Sequence, residues 1–126
     1  VRTINECIFC DPENFIYQTK HFNIIQDKFP VNKGHLLIIP KRHIETFFEL
    51  SEDETLDLRD AITDMKECID VKYEPDGYNI GINNGFYSGQ SIFHLHIHLI
   101  PRYKGDVEIG ELKGGIRNFK TPLVPY

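Results

Sequence analysis

Cysteine is scarce in this chain: three in 126 residues, two of them in Cys7-Ile8-Phe9-Cys10. Three thiols make a poor disulfide framework and suggest a reducing compartment, so the chain reads as cytoplasmic. Long apolar runs are absent too. None approaches the roughly 20 residues of a membrane span, and the opening residues do not form the h-region of a secretory signal. Positive charge is in deficit, with 14 Lys and Arg against 19 Asp and Glu for a net charge of −5. That balance argues against non-specific binding to nucleic acid or to an acidic membrane. It leaves room for an anionic small substrate held by local donors. Repeats, low-complexity tracts and linkers are missing, and the length suits one domain that buries its own core.

What is present reads as alternating short strands and one long helix. Phe15–Thr19 and Phe22–Asp27 are two strands at hairpin separation, and His35–Pro40 is an apolar strand ended by its proline. A helical turn is expected at Ile44–Phe48. The clearest element is a helix from about Glu52 to Asp70. Ser51 and Glu54 form a capping box at its start, and acids occupy its first turn. Leu58, Ala61, Ile62, Met65 and Ile69 follow helical spacing along one buried stripe, beside which Cys68 is expected as a small core residue. Pro75-Asp76-Gly77 turns the chain into a strand, Tyr78–Asn83. A glycine-rich loop, Asn84–Gln90, leads to a strand Ser91–Arg102, and Tyr103–Tyr126 follows as an arm. Five strands with hairpin-length links and one main helix make an α+β domain on a largely antiparallel sheet.

Three of the six histidines stand at alternate positions in His94-Leu95-His96-Ile97-His98-Leu99-Ile100. On a strand they share one face, about 6.5–7 Å apart, with Leu95, Ile97 and Leu99 on the other. Folding alone favours less polar residues there. The three imidazoles are then a metal site, a nucleophile with supporting rings, or a solvated polar face; strict alternation with apolar residues counts against the last. The preceding Gly85-Phe86-Tyr87-Ser88-Gly89-Gln90-Ser91 lets backbone N–H groups and a hydroxyl approach an anion, which suits a phosphate beside a histidine nucleophile. Cys7-x-x-Cys10 lacks the βαβ context of a thioredoxin-type pair. A half zinc site needs two more ligands, for which histidines serve.

These motifs together resemble the histidine-triad (HIT) superfamily. The triad segment fits His-φ-His-φ-His-φ-φ with φ apolar, Gly89-Gln90-Ser91 stands before it, and Gly34-His35-Leu36-Leu37-Ile38-Ile39-Pro40 is similar to the family's Gly-His-x-x-x-x-Pro strand. The resemblance runs from about Cys7 to Asp106. Ile100-Pro101-Arg102-Tyr103-Lys104-Gly105-Asp106 is closer to the diadenosine-polyphosphate-hydrolase and fragile-histidine-triad branches than to the short purine phosphoramidases.

The resemblance implies a HIT-like fold, a roughly five-stranded antiparallel sheet with one main helix and a short helix. It implies a single domain over residues 1–126 with a C-terminal arm over 103–126. It implies cleavage at the α-phosphate of dinucleoside polyphosphates or related conjugates through a nucleotidyl-histidine intermediate. Alternatives are a nucleoside phosphoramidase and a non-catalytic nucleotide-binding protein; a metal-dependent hydrolase with all three strand histidines on a catalytic zinc is a further one. His96 is the implied nucleophile. His98 is implied to contact the phosphate and hold the tautomer of His96, and His35 to support the triad. Asp27 is implied to take the ribose hydroxyls. Asn83, Gln90 and Ser91 meet the phosphate, and Ile8, Phe9 and Ile25 the base, purines favoured. Arg102 and Lys104 are candidates for the distal phosphates. Many bacterial relatives place a structural zinc on the residues that here are Cys7, Cys10, His43 and His94. A homodimer is expected, with no nucleic-acid or membrane partner.

Overall fold

Helix α1 spans Glu52–Tyr73, and its apolar stripe decides where everything else packs. Leu58, Ala61, Met65 and Ile69 are buried along it, with Ile62 packed at the edge of the same core. Ser51 Oγ accepts the Glu54 N–H at 3.1 Å and Glu54 Oε1 accepts the Ser51 N–H at 2.9 Å, so the capping box forms as the sequence indicates. The helix runs three residues past Asp70. It stops at Glu74, whose left-handed backbone (φ 51°) precedes Pro75. Cys68 is exposed rather than buried. One residue short of Ile69, it is rotated by about 100° off the stripe.

The computed structural model describes residues 7–109 and 112–120. Five strands form one antiparallel sheet: β1 (Phe15–Gln18), β2 (Phe22–Gln26), β3 (Leu36–Pro40), β4 (Gly77–Ile82) and β5 (Ile97–Arg102). Their order is β1-β2-β3-β5-β4, so β5 lies between the central β3 and the edge strand β4. One face of the sheet carries Phe22, Ile24, Leu36, Ile38, Ile97 and Leu99 onto α1, with Leu95 joining the same core. On the other face Leu37 and Ile39 pack with Phe9 in a smaller apolar cluster. A short 3₁₀ helix at Phe47–Glu49 replaces the helical turn expected at Ile44–Phe48.

The histidine segment departs from expectation in one respect: strand pairing begins at Ile97, not at Ser91. The reason lies across the ladder. In register with Ile38↔Ile97, Leu95 falls opposite Pro40, which has no N–H to give. The Leu95 N–H instead donates to the Ile44 carbonyl at 2.7 Å. Alternation survives this change, because Leu95, Ile97 and Leu99 are all buried in the core while the histidines turn away from it. In the arm, a 3₁₀ turn at Gly115–Arg117 is formed; residues 110, 111 and 121–126 lie outside the described residues.

The loop before β3 is tight. Gly34 takes φ +90°, and a Cβ there would meet the Tyr73 ring at 3.0 Å, so this turn requires glycine on both counts.

Candidate active site and metal centre

His96 Nδ1 lies 2.9 Å from the carbonyl oxygen of His94. A carbonyl only accepts, so in the neutral ring Nδ1 carries the proton and Nε2 keeps its lone pair. The ring is buried among polar and aromatic neighbours: Phe9 meets it edge-on at 5.1 Å between centroids, and His98 at 5.3 Å. Its tautomer is therefore set by a backbone carbonyl. The expectation that His98 holds it is corrected by this bond.

A second tautomer chain runs through His35. The Val31 N–H donates to His35 Nδ1 at 3.0 Å, which leaves the proton of the neutral ring on Nε2. That Nε2–H faces His98 Nδ1 at 2.9 Å, so His98 in turn keeps its proton on Nε2. Asp27 Oδ2 stands 3.4 Å from His35 Nε2 and 4.0 Å from His98 Nδ1, while its Oδ1 accepts the Phe29 N–H at 2.9 Å. Burial, reinforced by His96 and His35 and opposed by Asp27, pushes the His98 imidazole down to about 4. Burial also lowers His35. Both rings are neutral at pH 7, each in a defined tautomer. Asp27, His35 and His98 come close enough to suggest a second metal cluster. The Val31 bond argues otherwise, because His35 Nε2 is a donor and has no lone pair to offer.

The glycine-rich loop is organised by Gln90, which is buried. Its Oε1 accepts the Gly85 N–H at 2.8 Å, and its amide nitrogen donates to the carbonyls of Glu45 (2.8 Å) and Ile92 (3.2 Å). Both amide hydrogens are thus engaged within the protein, and this side chain shapes the loop rather than offering donors to a ligand. Ser91 is exposed, and Asn83 lies just past β4 with its side chain against Gly89. Asn84, which sequence reasoning passed over, accepts the Phe47 N–H at 2.9 Å and ties the loop to the 3₁₀ helix.

A cleft of about 610 Å³ opens beside the histidines, a size that suits a small ligand. It brings together Ile8, Phe9, Ile25 and Asp27, four residues singled out from the sequence, with Cys7–Phe9 and Asp11–Asn14 on one side and Ile25–Lys28 on the other. The triad rings do not line it directly. Phe9 and Asp27 connect it to His96 and to the His35–His98 pair. Arg102 does not reach it: its guanidinium is held by Asp106 at 2.8 and 2.9 Å and by Asn79 at 2.7 Å.

Adjoining the cleft through Cys7, ligand atoms of Cys7, Cys10, His43 and His94 lie within 4.8 Å of one another. His94 Nε2–H donates to the Pro40 carbonyl at 2.8 Å, which turns the Nδ1 lone pair toward the thiols. From that nitrogen it is 3.5 Å to each sulfur and 3.0 Å to His43 Nδ1, and His43 Nδ1 is 3.1 Å from Cys10 Sγ. A tetrahedral zinc with ordinary bond lengths sets N···S edges near 3.5 Å and N···N edges near 3.3 Å, so the four donors fit that ion. Without a cation, burial and the neighbouring Cys7 push the Cys10 thiol up to about 11. A divalent ion reverses that balance and takes the sulfurs as thiolates. Cys₂His₂ leaves no open position, which is the chemistry of a structural site.

His43 is exposed. Next to it the Arg42 guanidinium is held by the buried Glu54 at 2.7 and 3.3 Å and by the Glu49 carbonyl at 2.9 Å, a clamp that the sequence did not announce.

Comparison with known proteins agrees with this architecture. A family model for the HIT domain matches residues 10–105. An uncharacterised HIT-like protein of Methanocaldococcus jannaschii is 42% identical over 118 residues, covering 85% of this chain and 89% of its own. A Zn-bound histidine triad family protein from Mycobacterium smegmatis has a similar structure, with a TM-score of 0.72 at 30% identity over 81% of this chain and 78% of its own. A hypothetical histidine triad nucleotide-binding protein from Sulfolobus tokodaii gives a TM-score of 0.72 at 37% identity, over 79% of this chain and 70% of its own.

Proposed function

The chain belongs to the HIT family, and on that premise we propose that it cleaves nucleotide conjugates at the α-phosphate, with His96 Nε2 as the nucleophile. The observation that carries this reading is the 2.9 Å approach of His96 Nδ1 to the His94 carbonyl, which presents an unprotonated Nε2 without any metal or base to activate it. In the first step a bond forms between Nε2 and phosphorus as the phosphorus–oxygen bond to the leaving phosphate breaks. In the second, water adds to phosphorus, the N–P pair returns to Nε2, and a nucleoside monophosphate leaves with the excess proton passing to solvent. His98, with its proton on Nε2, supplies a donor to a phosphoryl oxygen, and His35 is a positioning residue that keeps it so.

The cleft gives the nucleoside a place. Ile8, Phe9 and Ile25 offer a flat apolar surface to a purine, and Asp27 offers a carboxylate to the ribose hydroxyls. Asn83 and Ser91 border the phosphate, in a loop whose form depends on Gln90. Dinucleoside polyphosphates are the favoured substrates, with nucleoside phosphoramidates second. A zinc on Cys7, Cys10, His43 and His94 holds structure and takes no part in bond cleavage. A homodimer and a cytoplasmic setting complete the reading.

The test is to trap the intermediate. Protein mixed with diadenosine tetraphosphate and quenched in alkali should carry one adenylyl group on His96, stable to base and released by acid. AMP binding with no such adduct in any quench identifies a nucleotide-binding protein without this chemistry.

A further inference from the structure

The two walls of the cleft are held by different means. One wall, Ile25–Lys28, belongs to β2 and the turn that follows, and is fixed by the sheet. The other is residues 7–14, which precede β1. Among the described residues this segment makes one backbone hydrogen bond, the internal turn from the Cys10 N–H to the Cys7 carbonyl at 3.2 Å. Among the described residues, the side chains of Asp11, Glu13 and Asn14, all of which line the cleft, form no hydrogen bond or ion pair. Among the described residues the segment is attached to the body by packing, with the Phe9 ring buried on Leu37 and Ile39 against His96 and Pro12 buried as well, and by the two sulfurs facing His43 and His94.

The His94 side of the metal site is fixed by the main chain. His94 is fixed by the Pro40 carbonyl at 2.8 Å, Leu95 by the Ile44 carbonyl at 2.7 Å and His96 by the His94 carbonyl at 2.9 Å. A cation bound here therefore adds little to the placement of the triad. What it adds is a tether for Cys7 and Cys10, and through them for Ile8, Phe9 and the rest of that wall.

We propose that metal occupancy at Cys7, Cys10, His43 and His94 acts on the nucleotide cleft through the wall formed by residues 7–14, setting affinity for the nucleoside end of the substrate and not the rate of bond cleavage. This rests on the nucleotide reading above and extends it to the regulation of the same site. When the tether is lost, the wall samples conformations in which the base has no surface to lie on. The nucleotide must then order residues 7–14 itself, and its apparent affinity falls with the fraction of competent molecules.

The experiment compares zinc-loaded and metal-stripped protein, with AMP as the calorimetric probe and diadenosine tetraphosphate for single turnovers at saturation. Stripping should weaken AMP binding about tenfold or more and leave the saturated rate within about twofold, with zinc restoring affinity. His43→Gln, which loosens the metal from a residue that does not line the cleft, should weaken AMP binding in the same direction while the amide protection of β3 and β5 stays intact. Unchanged AMP affinity on stripping overturns the proposal. So does a saturated rate that falls in parallel with affinity, which places the metal in the chemistry. Loss of sheet protection in both forms overturns it as well, since the metal then staples the whole fold. Zinc-loaded protein that binds no AMP at all defeats the underlying nucleotide reading, a result distinct from the others.

Discussion

The side chain of His94 and its own carbonyl do opposite things: the ring Nδ1 faces two thiols at 3.5 Å, while the carbonyl oxygen receives His96 Nδ1 at 2.9 Å. One residue thus orients both its own ring within the Cys/His cluster and, two residues on, the ring of the proposed nucleophile.

Replacing His96 by Ala should reduce nucleotidyl transfer by about three orders of magnitude or more, because the attacking atom itself is removed. AMP binding should persist within a few-fold, since the apolar walls and Asp27 are untouched. Single-turnover kinetics and calorimetry on the same preparation separate the two effects. Wild-type turnover in this variant overturns the nucleophile assignment.

The Val31 amide is the origin of the His35–His98 tautomers. Val31→Pro removes that donor and lets His35 hold its proton on either nitrogen. Turnover should fall by about tenfold to a hundredfold, the usual cost of losing a supporting partner of an imidazole. Nitrogen shifts of the His98 ring should report mixed tautomers, a readout that mere destabilisation would not move.

Acid stability follows from the His98 shift. Its folded value, about 4, lies below the unfolded 6.5, so the unfolded chain takes up the proton first as pH falls. The ring's contribution is complete above 6.5, is lost as pH drops toward 4, and changes by at most about 1.4 kcal/mol per pH unit between. His98→Gln should flatten the melting temperature across that window relative to wild type. Identical slopes in the two proteins contradict the shift.

Leu95 and Ile97, both fully buried, carry the apolar half of the histidine alternation. Leu95→Ala should cost about 2–5 kcal/mol of stability by lost burial and the cavity left behind. Chemical denaturation measures it, and a cost below about 1 kcal/mol would mean that this face is not the core it forms here.

Purified protein should contain one zinc per chain by metal analysis, and chelation should lower its melting temperature, because binding a closed Cys₂His₂ site is part of the folding free energy. Metal-free protein with unchanged melting removes the metal assignment.

Much of this was legible in the chain because side-chain type carried it. The α1 stripe, its capping box and the six alternating positions from His94 to Leu99 are patterns of residue kind, and the structure keeps them. Cys7, Cys10, His43 and His94 converge although as many as 87 positions separate them, a convergence that family resemblance indicated and spacing alone did not. What stayed hidden was the work of the main chain. The carbonyls of Pro40, Ile44 and His94 and the Val31 N–H orient the site; every residue type carries such a carbonyl, and every one but proline such an N–H. Gln90 and Arg102 read as ligands for phosphate because their chemistry allows it; the structure gives their donors to the loop and to Asp106 instead.

Control of the site also reaches it from a distance, through Gly34. Its φ of +90° and the Tyr73 ring at 3.0 Å from where a Cβ would stand fix the turn that brings the Val31 amide over His35. The last residue of the long helix therefore bears, through a kink in the backbone, on which nitrogen of a distant ring owns a hydrogen. A side chain at this position, which touches neither the cleft nor the histidine rings, is thereby excluded on behalf of a ring it never meets.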